Sequence, residues 1–406
     1  MPRPSIVAID PPGHTRLRSP TARAFTPRRV AQMEPRIKAI ITRLLDAIDP
    51  AEPFDLVPAL TFPLPATVVF SFLGIPEHDW PRLKQGAADE AALTFGRSTP
   101  DEQIHHAENI LRLSRLPARF RSQKSHGQDG DFTAALLAIR EEDPDALSLE
   151  EVVSILYSLT FAGHETTNYL IGNLVRRLLE KLERWDAVVG DPALIPGAVG
   201  EVLRYDSSVP VWRRITTRPV NLGGVALPAG AKLFLWLAAS GRDASVFPDP
   251  EIFDLRRTNA TKTLVFGEGI HYCLGAALGK LEAQLALEAL IKRFPRLRLV
   301  PGKAISFPAN MCFRGPQELW VQTRDVTQSC DTEWRLDECL ELLGENAVAR
   351  LNHTPRHRVW LGLHAVLVPS GVTATRSNAG WPRYSVQNRP RTKSWRELIS
   401  RASEYW

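Results

Sequence analysis

Residues 149 to 185, "LEEVVSILYSLTFAGHETTNYLIGNLVRRLLEKLERW", constrain the fold more than any other stretch. Ser148, with Glu151 three residues on, forms a capping-box start signal. From there the pattern predicts a helix of about nine turns, apolar on nearly every side. A helix without a polar face must run through the middle of a protein, so other elements have to surround it.

The surrounding chain supplies them. "RRVAQMEPRIKAIITRLLDAI" repeats Val30, Ile37, Ile41, Leu44, Leu45 and Ile48 at helical spacing, with Pro27 near its start. "FPLPATVVFSFLGI" and "HHAENILRLSRLPARF" predict further helices, with "FGRSTPDEQ" as a loop between them and Ser125 to Asp131 as a polar turn. "VNLGGVALPAG" predicts a hairpin around Gly223-Gly224, and "AKLFLWLAA" a buried strand. The fold class is mainly α with a minor β-sheet.

Hydrophobic content of 44% and charged content of 23% suit an ordinary globular protein with a sizeable core. The net charge of +5 would suit nucleic acid or a basic face for an acidic protein partner. With neither a recognition-helix nor a zinc-finger pattern, the balance points away from nucleic acid. Four cysteines, Cys273, Cys312, Cys330 and Cys339, lack CxxC spacing, which argues against a disulfide framework or a structural zinc site. "MPRPSIVAIDPPGH" has no apolar signal core, and runs such as "LFLWLAA" fall far short of the ~20 residues that span a bilayer. The expectation is a soluble cytoplasmic protein, away from membranes.

Three motifs carry chemistry. "FGEGIHYCLG" (266–275) sets a lone Cys273 at the mouth of a helix, where the dipole and free N–H groups favour thiolate. Gly267 and Gly269 permit a tight loop there. Taken alone, Cys273 reads either as a metal ligand or as a small buried hydrophobe beside a turn. "FAGHETTN" (161–168) resembles a zinc-protease motif only at first, because Asn168 stands where the second His belongs. What remains, Gly163, Glu165 and Thr166 in an apolar helix, suits either proton delivery or a satisfied polar patch at a bend. "EVLR" places Glu201 and Arg204 on one helical face, an arrangement that by itself reads as a solvated ion pair.

Together and in this order, the motifs resemble the cytochrome P-450 family of haem-thiolate monooxygenases, of the soluble bacterial kind. Phe266, Gly267, Gly269, His271, Cys273 and Gly275 match the family's haem loop. "AGHETT", with Ala162 and Gly163, matches its oxygen-binding kink, and "EVLR" its Glu-x-x-Arg. "FDLRR" offers Arg257 as the third member of that network, "HTRLR" offers His14 and Arg18 for one haem propionate, and "WRRITT" offers Arg214 for the other.

The resemblance implies a triangular helical body, with haem b between the long central helix and the Cys-loop helix. It implies Cys273 as the axial thiolate and Glu165 with Thr166 as the proton relay. Phe266 would lie beside the thiolate, and Glu201, Arg204 and Arg257 would brace the loop beneath the haem. A ferredoxin-type donor would supply electrons, drawn by Arg18, Lys280 and Arg293. O2 and a small apolar organic molecule would be the substrates, the latter held partly by Val209, Pro210, Val211 and Trp212 and by the loop near Phe95 to Pro100.

The resemblance runs from about Asp10 to about Gln322, within one domain of residues 1–322, and residues 323–406 read as an atypical extension. That segment holds five of the ten Trp and little periodicity beyond one short helix around Trp334 to Leu343. His14 comes early for this family. The expectations are therefore a distal side lacking its usual cap and a sheet lacking strands. The competing reading is a haem binder that is inactive, or the defective product of a truncated or frameshifted reading frame.

Overall fold

The computed structural model describes residues 6–113 and 131–323. The expected short helix around Trp334 to Leu343, Cys330, Cys339 and nearly all of the 323–406 extension lie outside the described residues. So do the 125–131 turn up to its last residue and the end of "HHAENILRLSRLPARF".

Helices dominate. In chain order they are α1 (Gly13–Ala24), α2 (Pro27–Gln32), α3 (Glu34–Asp46), α4 (Pro63–Phe72), α5 (Trp80–Phe95), α6 (Pro100–Leu113) and α7 (Phe132–Glu142). There follow α8 (Leu149–Ala162), α9 (Glu165–Leu179), α10 (Leu182–Gly190), α11 (Ile195–Tyr205), the short α12 (Leu237–Ser240) and α13 (Ala276–Arg293). Strands β1 (Phe54–Asp55), β7 (Trp320–Gln322) and β6 (Arg298–Leu299) form one antiparallel sheet in that order. β2 (Trp212–Ile215) pairs antiparallel with β5 (Lys232–Leu235), and β3 (Val220–Leu222) with β4 (Val225–Leu227).

The expected hairpin is the β3–β4 pair, turning on Gly223 and Gly224, both at positive φ. The expected buried strand is only half buried. Along β5 the side chains alternate, and beyond it Trp236 is 59% exposed, because nothing described covers that face.

The predicted nine-turn helix is three helices. Its start is as expected: the Ser148 N–H donates to Glu151 Oε2 at 2.8 Å and the Glu151 N–H to Ser148 Oγ at 3.2 Å. It then breaks at Gly163-His164, between α8 and α9, and again before Leu182. The first break has two local causes. Gly163 lacks the side chain that would support the turn, and the Thr166 hydroxyl donates to the Ala162 carbonyl at 3.0 Å. The expectation of burial holds for α9, which packs against α4, α10, α11 and α13 with Ile171, Leu174, Val175 and Leu178 fully buried. No helix among the described residues is long and apolar enough to cross a membrane.

Candidate active site

The loop before α13 is closed by its own backbone. The Gly267 N–H donates to the Leu264 carbonyl at 2.8 Å, and the Cys273 N–H to the Phe266 carbonyl at 2.8 Å. Gly267 (φ 75°) and Gly269 (φ 74°) occupy the left-handed region this path needs. Cys273 therefore sits over the start of α13, where the Gly275 and Ala276 N–H groups reach it. Its side chain is exposed to a half-enclosed cavity of about 310 Å³.

That surrounding protein decides the thiol's state. Burial pushes Cys273 above its ordinary value, and the two N–H groups and Arg18 pull the other way without reversing it. The helix start alone does not make a thiolate here. A bound metal would, since a coordinating thiol is deprotonated outright.

Ala162, Gly163 and Thr166, from the α8–α9 break, line the same cavity as Cys273. Gly163 is small for a packing reason. A Cβ there would lie 2.6 Å from Val69 Cγ2 on α4. Glu165 is buried beside Thr166 but is not among the residues lining the cavity; its Oε1 lies 3.6 Å from His164 Nε2.

A group of basic side chains rims one edge. Arg18 on α1 donates to the Tyr272 carbonyl at 2.6 Å, and Arg18, Arg214 and His271 all line the cavity. Trp212 and Arg214, two apart on β2, share its inner face. His14 is buried against His271, and His14 Nε2 has no hydrogen-bond partner. Burial, then His14 and Arg214, push His271 down to about 4. Burial also lowers Arg18 and Arg214, with Asp10 the acidic neighbour of Arg214. Arg18, Arg214 and His271 around a half-enclosed space, with His14 behind His271 and not itself a lining residue, form a seat suited to buried carboxylates. The haem propionates fit that description.

Similarity to known proteins agrees with this geometry. The sequence model of the family described as Cytochrome P450 matches residues 193–311. Cytochrome P450 monooxygenase PikC of Streptomyces venezuelae is 40% identical over 326 residues, 79% of this chain and 76% of that protein. This chain belongs to the cytochrome P450 family. Erythromycin C-12 hydroxylase of Saccharopolyspora erythraea is 37% identical over 298 residues, 73% of this chain and 75% of its own length. The solved structure of cytochrome P450 CREJ in complex with (4-ethylphenyl) dihydrogen phosphate superposes with a TM-score of 0.74 at 38% identity, covering 79% of this chain and 80% of that one. The protein is a P450 monooxygenase with haem b as cofactor, using O2, an organic substrate and electrons from a redox partner.

In this P450 the Glu-x-x-Arg pair is no solvated bridge. Arg204 and Glu201 are fully buried on α11 and joined by two bonds of 2.6 and 2.7 Å. Arg204 also donates to the carbonyls of Gly241, Pro250 and Ile252. Arg257 joins at Glu201 Oε1 at 3.2 Å and donates to the Pro248 carbonyl at 2.7 Å. Three side chains thus pin residues 241–257 by their backbone, upstream of the Cys273 loop.

Other placements differ from expectation. Val209 and Trp212 line the cavity, whereas Pro210 and Val211 are not among its lining residues. Phe95 stands in an aromatic group with Trp212, Phe161 and Phe313, centroids 6.0, 6.3 and 5.1 Å away. One Arg18 N–H donates to the Tyr272 carbonyl, and Arg293, half exposed, lies 3.7 Å from the exposed Asp46. Glu282 on α13 was not foreseen. It lines the cavity, is fully buried with Oε2 unpartnered, and burial raises it well above the ordinary carboxylate range. No local sequence signal marks it, since an acid in an Ala- and Leu-rich helix usually faces water.

Proposed function

We propose that Cys273 is the axial thiolate of the haem iron and that this P450 inserts one oxygen atom into a small apolar organic molecule. The observation that carries the reading is that Cys273, Thr166 and the Arg18–Arg214–His271 edge all line one cavity. Among the described residues no group of three or more His, Cys, Asp or Glu could hold a metal, here or elsewhere. An iron here would have to bring its remaining donors with it, as a porphyrin does. When bound, haem with a thiolate ligand activates O2 by pushing electron density toward the distal side.

The chain's own residues do the rest. Gly275 and Ala276 N–H groups hold the sulfur, and Phe266, with Lys280 Nζ 5.1 Å from its ring centre, shields it from water. His14, His271, Arg18 and Arg214 receive the propionates, removing both the strain among cations and the unpaired Nε2. Thr166 borders the cavity, its hydroxyl donating to the Ala162 carbonyl, and the adjacent buried Glu165 supplies the protons.

Substrate class follows from the walls. The relatives do not choose it, since one is named for erythromycin and another was solved with (4-ethylphenyl) dihydrogen phosphate. The cavity here is lined by Val69, Phe72, Leu170, Val209 and Trp212, favouring an apolar guest of modest size. Electrons come from a ferredoxin-type protein, drawn toward the Lys280 side. The test is a panel of small apolar and polar compounds added to haem-reconstituted protein. Apolar members should shift the iron's spin state and Trp212→Ala should weaken them; a panel in which only charged compounds bind would refute the class.

A further inference from the structure

We propose that a second cavity, on the outer face of the β2–β5 ribbon, binds the carboxylate of a small apolar acid at a site separate from the haem cavity. It measures about 520 Å³, and its lining includes Phe95, Arg97, Arg213, Phe234, Asn310 and Met311. That size suits a small organic ligand. Strand alternation divides the ribbon between the two spaces. Trp212, Arg214 and Leu235 line the haem cavity, whereas Arg213 and Phe234, paired across the strands, line the second. No residue lines both. Between them stand aromatic rings: Phe95, from the second wall, lies 6.0 Å from Trp212, from the first, centroid to centroid.

Two cations and no acid line the second cavity. The Arg213 guanidinium lies over Phe95, 5.0 Å from the ring centre. Among the described residues, neither Arg213 nor Arg97 pairs with a carboxylate. A guanidinium held over a ring keeps its N–H edge for a planar, bidentate partner, and a carboxylate has that shape. The charge of Arg213 is felt at Cys312, whose thiol burial pushes up and Arg213 pulls partly back. Asn310 fixes that wall, its Oδ1 accepting the Cys312 N–H at 3.1 Å and the Phe313 N–H at 2.6 Å. With Oδ1 committed to the backbone, what the amide has left for a ligand is its NH2 group, a donor.

The apolar half lies beside these donors. Phe234 is 50% exposed and Met311 52%, so both offer uncovered apolar surface at the cavity. A neutral hydrocarbon would leave the guanidiniums unanswered, and an ion without a body would leave the ring and thioether bare. An acid with an apolar body satisfies both.

The test uses haem-loaded protein whose haem cavity is already filled with phenylimidazole, and follows decanoate, decanol and acetate by titration calorimetry. Decanoate should bind without displacing the azole and more weakly as salt rises. Arg213→Gln and Arg97→Gln should each weaken it roughly tenfold. Lys232→Gln, on the Phe234 face of β5 but outside the lining, should bind like the parent. Decanol and acetate should bind far less tightly than decanoate. Both arginines are exposed, so their variants should fold, and the azole-bound spectrum checks this. If one variant loses haem, the other decides; the salt and decanol comparisons need no variant. Decanoate that binds only without the azole is a guest of the haem cavity. Binding that survives both arginine substitutions, or that decanol equals, is adhesion to apolar surface. Either result, or no binding at all, overturns the proposal.

Discussion

The imidazoles of His14 and His271 lie with ring centroids 4.3 Å apart, one from α1 and one from the loop that carries Cys273. Both are pushed down, His14 by burial and then Arg18, His271 by burial and then His14 and Arg214. Between the ordinary value of 6.5 and about 4, an unfolded chain takes up a proton at His271 that the folded chain refuses. The haem-free protein should therefore lose stability as pH falls through that window, by roughly 2 kcal/mol after solvent screening. Urea midpoints at both ends measure it. Haem, bringing carboxylates to these rings, should remove most of the slope, as should His271→Phe in the haem-free protein. A slope untouched by haem would remove the propionates from this edge.

Glu201 and Arg204 give a stability prediction. Removing either partner leaves a charge buried without water, a loss of about 3–5 kcal/mol. Arg204→Met also strands the Gly241, Pro250 and Ile252 carbonyls. Denaturant midpoints should fall steeply for Arg204→Met and Glu201→Leu, and much less for Arg256→Met, whose side chain is largely exposed. Equal, small effects would return the pair to a solvated role.

Gly163 should tolerate Ala poorly. The added methyl meets Val69 Cγ2 at 2.6 Å and the Leu159 carbonyl at 2.9 Å, so the cost is about 1–3 kcal/mol. Val69→Ala in the same chain should recover part of it. No recovery would mean that the backbone, not α4, sets the limit.

What the sequence made legible was local. The α8 cap needs only Ser148 and Glu151, and the Cys273 loop needs only its glycines and the helix-forming run behind it. The break at Gly163-His164 was harder to see, because apolar residues continue on both sides and periodicity cannot tell a bent helix from two. The state of the Cys273 thiol was misjudged for a different reason. The helix start is local, whereas the burial that outweighs it comes from chain segments distant in sequence, α9 among them. Exposure of Trp236 and the unpaired Nε2 of His164 are likewise properties of neighbours distant in sequence.

Thr166 and Glu165 should separate chemically. Thr166→Ala should leave haem binding and spin-state shifts intact but divert electrons into peroxide. Glu165→Gln should slow turnover by roughly 10²-fold. Product and peroxide per O2 consumed measure both. If each variant couples as well as the parent, the Thr166–Ala162 bond only shapes the bend.

The central claim is thiolate ligation by Cys273, and the ferrous–carbon monoxide spectrum tests it most directly. The parent protein loaded with haem should give the strongly red-shifted Soret band of a thiolate-ligated iron. Cys273→Ser should lose that band and keep its helix content, while Cys312→Ser, buried and not among the cavity's lining residues, should leave it unchanged. A red-shifted band surviving in Cys273→Ser would contradict the account.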